Sequence, residues 1–339
     1  MQAYEVQTAF GLDNLKLAQR PDPKPGHKQI LVRVKACSIN YRDLLMVQGF
    51  YNPKQPLPLV PFSDGAGEVV EVGPGVTRFK AGDRVAGCFF QAWDGGRPTA
   101  EKVAASAMGS PLDGMLRELA VLEEGGAVHL PAHLNFEEGA TLPCAGLTAW
   151  SCLFRHGNVR PGDTVLTLGT GGVSVFALQF ARMAGADCII TSSSDDKLKR
   201  AKEFGATHTI NYKTNEQWSK EVKKLTGGVG VDHVIEVGGV GTLDQSIRSC
   251  RLGAHISLVG VLAGPQAPLS LTLVLMQDIR IQGVFVGPRE TFEDMNKAIS
   301  KHKLKPVIDK VFPFKDVRAA MDYMIAGKHF GKVCVTVGS

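Results

Sequence analysis

Two periodicities divide the chain. Up to about residue 125, apolar and polar positions alternate with a period of two. Gln29–Lys35 reads as a strand, and Gly67–Val72 as another that ends in the turn residues Gly73-Pro74-Gly75. Phe79–Val85 leads into a further short strand. Pro53, Pro56, Pro58 and Pro61 mark an extended loop, and the glycine-rich, polar stretch 92–114 reads as a mobile loop near a site. From Phe136 onward, short apolar runs alternate with helical stretches. The runs predict strands at 164–168, 187–191, 207–210, 232–236, 255–260 and 280–286, with helices between several of them. That order is an α/β fold, a doubly wound parallel sheet following a β-rich region. Helices are predicted near 291–301 and 315–326, and the strand Gly331–Val337 closes the chain.

The most specific chemistry lies at the first β-to-α junction. Thr164–Leu168 is followed by Gly169-Thr170-Gly171-Gly172-Val173-Ser174 and then by the helical run Val175–Arg182. Strand, glycine turn and helix together give a dinucleotide a tight turn, close backbone approach and free helix N–H groups for its pyrophosphate. Ser174 stands where the usual third glycine would be. The next strand ends near Thr191, about twenty residues past the first glycine, where an acidic residue marks NAD. Here the residues are Thr191-Ser192-Ser193-Ser194, with Lys197 and Arg200 one helical turn apart. Hydroxyls leave room for a 2′-phosphate and the two cations can answer its charge, so NADPH is expected. The competing local reading makes Ser193 or Ser194 a helix cap, with Asp195 and Asp196 complementing the helix dipole.

Length and composition narrow the classes. The 339 residues call for two domains. The net charge of +5 is dispersed, and the lysines of 197–202 and 220–224 are interleaved with acids at helical spacing. They read as solvated helix faces, so no nucleic-acid partner is expected. No apolar run is long enough to span a membrane, and no membrane or secretory role is expected. The seven cysteines are scattered, with no C-x-x-C pair, as for reduced thiols in a cytoplasmic protein.

Across nearly its full length the chain resembles the medium-chain dehydrogenase/reductase superfamily. The landmarks are Asn40-x-x-Asp43, Gly65-x-Gly67-Glu68-Val69-Val70-x-Val72-Gly73, Gly82-Asp83-Arg84-Val85, Leu142-Pro143-Cys144-Ala145-Gly146-Leu147-Thr148-Ala149-Trp150 and the nucleotide turn. The resemblance is closest to the quinone oxidoreductase and enoyl reductase-like branch. It implies a GroES-like β-rich domain (1–126 with 288–339) and a Rossmann domain (127–287). Zinc alcohol dehydrogenases of this superfamily have a cysteine at Asn40 and a histidine–glutamate pair at Ser63-Asp64. Only Cys144 matches a catalytic ligand, and residues 89–120 contain no cysteine for a structural zinc lobe. The reading is therefore zinc-independent, with no metal residues and with Cys144 a pocket-wall residue.

Without zinc, hydride suits an acceptor such as a quinone or an activated C=C, reduced by NADPH. The resemblance then implies Asn40 as a donor to the substrate oxygen and Tyr51 as a donor or proton source. Arg42 is read as the partner of Asp43, with an anionic group of the substrate as the alternative. On the cofactor side it implies Thr148, Gly169, Thr170, Gly171, Gly172, Val173, Ser192, Lys197, Tyr212, Val259, Val261, Phe285, Val286 and Lys332. Asp232, Glu236 and Glu68 are read as structural. Two other functions fit the same features: an aldehyde reductase or alcohol dehydrogenase, and a non-catalytic NADPH-binding sensor. Edge strand 278–286 implies a homodimer, or a tetramer built from two such dimers. The partner is otherwise a small carbonyl or quinone substrate.

Overall fold

The computed structural model describes residues 1–264, 266 and 268–338. The chain forms two compact units, Met1–Leu147 with Val286–Ser339, and Thr148–Phe285.

The first unit begins with strands β1 (Gln2–Val6), β2 (Leu15–Gln19), β3 (Gln29–Ile39), β4 (Asp64–Val72), β5 (Arg84–Gly87), β6 (Leu119–Glu123) and β7 (Ala127–His129). β3 is the spine of its sheet. Its first half keeps Ile30, Val32 and Val34 buried and Arg33 exposed, as the predicted alternation requires, but Leu31 on the other face is buried as well. Its second half, Ala36–Ile39, is buried throughout, and the strand extends four residues beyond the predicted end at Lys35. The alternation stops because this half has β4 on one side, a closing strand on the other and the helix Phe136–Ala140 packed against it. The stretch 92–114 is anchored. Trp93 and Met108 are buried, Phe90 bridges to Ala107, and a short helix spans Ala100–Val103.

The second unit contains β8 (Thr164–Leu168), β9 (Asp187–Ser192), β10 (His208–Asn211), β11 (Val231–Glu236), β12 (Cys250–Leu258) and β13 (Arg280–Gly283). They form a parallel six-stranded sheet in the order β10-β9-β8-β11-β12-β13. The order reverses between β8 and β11, the place where open parallel sheets bind nucleotides. Leu166, Ile189, Val234 and Ile256 fill its core. The predicted strand 280–286 stops at Gly283, and Val286 takes a left-handed φ of 41°. A β-branched residue there cannot continue a strand.

The tail then returns to the first unit as β14 (Ile308–Pro313) and β15 (Lys332–Thr336). β15 pairs antiparallel with β3, Val333 opposite Ile39, and completes a seven-stranded sheet. Residues 127–147, assigned by sequence to the nucleotide domain, belong to the first unit. β7 pairs with β5, and the helix Phe136–Ala140 lies on β3 and β4. No helix among the described residues is long and apolar enough to cross a membrane.

Candidate active site

In the first unit, three strand ends converge. β3 ends at Ile39, so Asn40 begins the helix Tyr41–Val47. β4 starts at Asp64, opposite Ser38, which brings Ser63 and Asp64 alongside. β15 starts at Lys332, next to the Val333–Ile39 pair. The result is a buried polar centre. The Lys332 ammonium donates to Asn40 Oδ1 at 2.5 Å and to the Ile39 carbonyl at 2.8 Å. Asn40 Nδ2 donates to Ser63 Oγ at 3.4 Å, and Ser63 Oγ donates to Asp64 at 2.8 Å. The other Asp64 oxygen accepts the Cys144 backbone N–H at 3.2 Å.

Asp43 holds this framework from below. It accepts from the Asn40 N–H at 2.8 Å, the Ser63 N–H at 3.2 Å and Arg42 Nη1 at 3.2 Å. The expected Arg42–Asp43 pair is therefore present. Arg42 also donates to the Met108 carbonyl, and its guanidinium lies 4.7 Å from the Tyr51 ring centroid and 5.2 Å from that of Phe89. Tyr51 is half exposed on its loop. Burial pushes the Asp64 carboxyl up to about 6; Lys332 opposes that rise and Asp43 adds to it. Burial and then Asp64 raise the partly exposed Cys144 thiol well above the ordinary thiol range.

A catalytic zinc does not fit this centre. It needs about three thiolate, imidazole or carboxylate ligands. The residues here are an asparagine, a serine, the Asp64 carboxyl, an Asp43 carboxyl already engaged by three N–H donors, and one thiol whose ionisation burial opposes; an ammonium already occupies the Asn40 oxygen. Among the described residues no group of three or more His, Cys, Asp or Glu is placed to hold a metal ion.

The nucleotide features of the second unit follow the carboxyl ends of its strands. Gly169 leaves β8 with a φ of 71°, which favours glycine. A Cβ at Gly169 or Gly171 would meet nothing within 4 Å, so the face of the turn is open. Gly171 caps the helix Gly172–Met183, and Thr170 is buried while Val173 is partly so. Ser174 replaces the third glycine at no structural cost, because its hydroxyl donates to the Leu168 carbonyl at 2.6 Å and ties helix to strand. This cradle fits a dinucleotide pyrophosphate.

The other cofactor candidates are distributed as follows. Ser192 ends β9, buried, its hydroxyl accepting the Ser194 N–H at 3.3 Å and its carbonyl the Tyr212 N–H at 3.0 Å. Ser194 caps the next helix through the Lys197 N–H, so the capping reading holds for that residue. Tyr212 is exposed just after β10. Val259 follows β12 with its N–H on the Glu236 carbonyl, and Val261 and Phe285 are half exposed. Thr148 is buried in the helix Leu147–Trp150. Val286 is buried within the first unit, and so is Lys332, whose ammonium the polar centre engages.

Sequence reasoning missed the partnership of Lys332 with Asn40 and the full role of Glu236. That carboxylate is buried and accepts from Gly238 N–H, Gly239 N–H, Thr242 Oγ1 and Ser246 Oγ. Four donors tie the loop after β11, as its structural reading requires. Asp232 is likewise engaged, by the Thr164 N–H and Arg251.

Known proteins match both units. The alcohol dehydrogenase GroES-like domain family matches residues 26–132, and the zinc-binding dehydrogenase family matches residues 172–301. A zinc-type alcohol dehydrogenase-like protein of Schizosaccharomyces pombe is 46% identical, covering 96% of each chain. An acryloyl-coenzyme A reductase of Metallosphaera sedula is 31% identical over 93% of this chain and 94% of its own. The crystal structure of a candidate alcohol dehydrogenase from Sinorhizobium meliloti 1021 superposes with a TM-score of 0.92 at 41% identity, covering 99% of this chain and 98% of that one.

Proposed function

The chain belongs to the medium-chain dehydrogenase/reductase superfamily of oxidoreductases, and on that premise we propose that it is a zinc-independent, NADPH-dependent reductase of quinones or α,β-unsaturated carbonyls. The observation that carries this reading is the polar centre, which has no donor set for zinc but offers an amide backed by an ammonium. Such a group suits an acceptor whose negative charge spreads onto oxygen. The acryloyl-coenzyme A reductase relative, whose name describes reduction of an activated C=C, favours the same class.

In this reading Gly169, Thr170, Gly171, Gly172 and Val173 cradle the pyrophosphate. Ser192, Lys197 and Tyr212 surround the adenosine 2′-phosphate, and the absence of an acid at the end of β9 supports NADPH over NADH. Thr148, Val259, Val261, Phe285 and Val286 serve the nicotinamide end. When bound, NADPH supplies the hydride. Asn40 donates to the substrate oxygen, and Tyr51, beside Arg42, serves the same oxygen or the proton. Seven free thiols suit a reducing cytoplasm.

We also propose a homodimer, or a dimer of dimers. β13 is one of the two edge strands of its sheet, and the neighbouring helix Leu271–Met276 exposes Leu271, Leu275 and Met276 by 70% or more.

The test is cofactor consumption by chelator-treated protein offered a naphthoquinone, a short enone or a saturated aldehyde, each with NADPH and with NADH. Turnover of the quinone or enone, faster with NADPH and indifferent to chelator, is the expected result. Turnover of the aldehyde alone, or only after zinc is added, refutes it.

A further inference from the structure

We propose that Lys332 is a positioning residue for the reduction: its ammonium polarises the Asn40 amide, and through that amide it strengthens the hydrogen bond given to the substrate oxygen. The inference rests on the functional reading above, in which Asn40 meets that oxygen.

The geometry carries the argument. Lys332 is almost fully buried at the start of β15, and two of its three N–H donors are committed, to Asn40 Oδ1 at 2.5 Å and to the Ile39 carbonyl at 2.8 Å. The strand register dictates this placement, because Val333 lies opposite Ile39 and the next residues along the two strands are Lys332 and Asn40. A charged donor on the amide oxygen has two effects. It fixes which end of the amide faces which way, since Lys332 can only donate and so selects oxygen over nitrogen. It also favours the resonance form in which nitrogen gives up electron density, which makes the N–H₂ a stronger donor.

That stronger donor is divided between two acceptors in the resting site, Ser63 Oγ and the Asp64 carboxyl. Asn40 Nδ2 reaches Ser63 Oγ at 3.4 Å, longer than an ordinary N–H···O bond. Ser63 Oγ is itself turned toward Asp64, to which it donates at 2.8 Å. Asp43 fixes the Asn40 backbone by accepting its N–H at 2.8 Å, so the amide is held at both ends of its side chain. An oxyanion is a far better acceptor than the serine hydroxyl. No covalent bond to Lys332 forms or breaks in the step. The chain thereby supplies its own cation to a centre that lacks a ligand set for a metal.

The variants Lys332→Met, Lys332→Arg and Asn40→Ala, with the double variant Lys332→Met/Asn40→Ala, test this. The Asn40 side-chain amide is first identified in asparagine-labelled protein by its absence from Asn40→Ala. Its proton resonances should move upfield in Lys332→Met and return toward the wild-type position in Lys332→Arg. In enone reduction, Lys332→Met should lower kcat by about tenfold to a hundredfold, with KM and NADPH affinity nearly unchanged. Lys332→Arg should recover part of that loss, and the double variant should be no slower than Asn40→Ala alone.

An unmoved amide resonance overturns the inference whether or not the enzyme turns over an enone. So does full additivity in the double variant. A Lys332→Met protein that binds NADPH at least tenfold more weakly with kcat intact makes Lys332 a cofactor contact and overturns it as well. A wild-type protein that reduces neither quinone nor enone refutes the functional reading instead, and the resonance experiment still decides whether Lys332 polarises Asn40.

Discussion

Replacing Asp64 by asparagine should change how stability depends on pH, by an amount the structure sets. Asp64 is fully buried at the start of β4, accepting from Ser63 Oγ and the Cys144 N–H, with Lys332, Asp43 and Asn40 around it. Burial raises its carboxyl from 3.8 to about 6. Well below 3.8, at pH 3 and lower, the carboxyl is protonated in both folded and unfolded chains and contributes nothing. Between pH 4 and 6 the folded chain keeps a proton that the unfolded chain has released, so stability falls as pH rises. Above pH 6 both states are ionised and the cost is constant, at about 3 kcal/mol for a displacement of this size. Asparagine carries no such cost, and it can still accept the Cys144 N–H while donating to Ser63. The stability of the wild type relative to Asp64→Asn should therefore drop by about 3 kcal/mol between pH 3 and pH 7. Urea unfolding followed through the buried Trp93, in a background where Trp150 and Trp218 are phenylalanine, reports on this unit. A difference that stays level across the range would mean that Lys332 cancels the effect of burial, and one that grows with pH would mean that Lys332 outweighs it and the carboxyl is stabilised as an anion.

Two further outcomes can be checked directly. Ser174→Ala removes the 2.6 Å bond to the Leu168 carbonyl and should destabilise the nucleotide unit by about 1–2 kcal/mol while weakening NADPH binding; calorimetry and fluorescence titration measure both, and an unchanged protein would show that the hydroxyl is incidental. Leu275→Glu places a charge on the most exposed apolar residue of the helix beside β13 and should give a folded monomer by light scattering; a wild-type monomer would end the dimer proposal.

The nucleotide unit was the more legible half, for a physical reason. Its parallel strands are buried on both faces and read as short apolar runs, and the glycine turn is contiguous, so Gly169 through Ser174 state their geometry within six residues. Strand ends were less legible. β3 outruns its alternation because neighbours far along the chain cover Ala36–Ile39, and β13 falls short of Val286 because that residue's backbone turns left-handed. On the site, the sequence pointed to Asn40 and to the loss of the zinc ligands through a resemblance, and it placed Lys332 with the cofactor.

By itself, then, the sequence determined the two architectures and the dinucleotide turn, since each is written in local pattern, while the missing ligand set was legible only through the resemblance. Only the tertiary structure decided what stands in the polar centre. Asn40 and Lys332 are separated by 292 residues and share no local signal; antiparallel pairing of β15 with β3 brings them to 2.5 Å. The same convergence buries Asp64 beside them and raises its carboxyl, because desolvation depends on what the fold closes around a group and not on its neighbours in sequence.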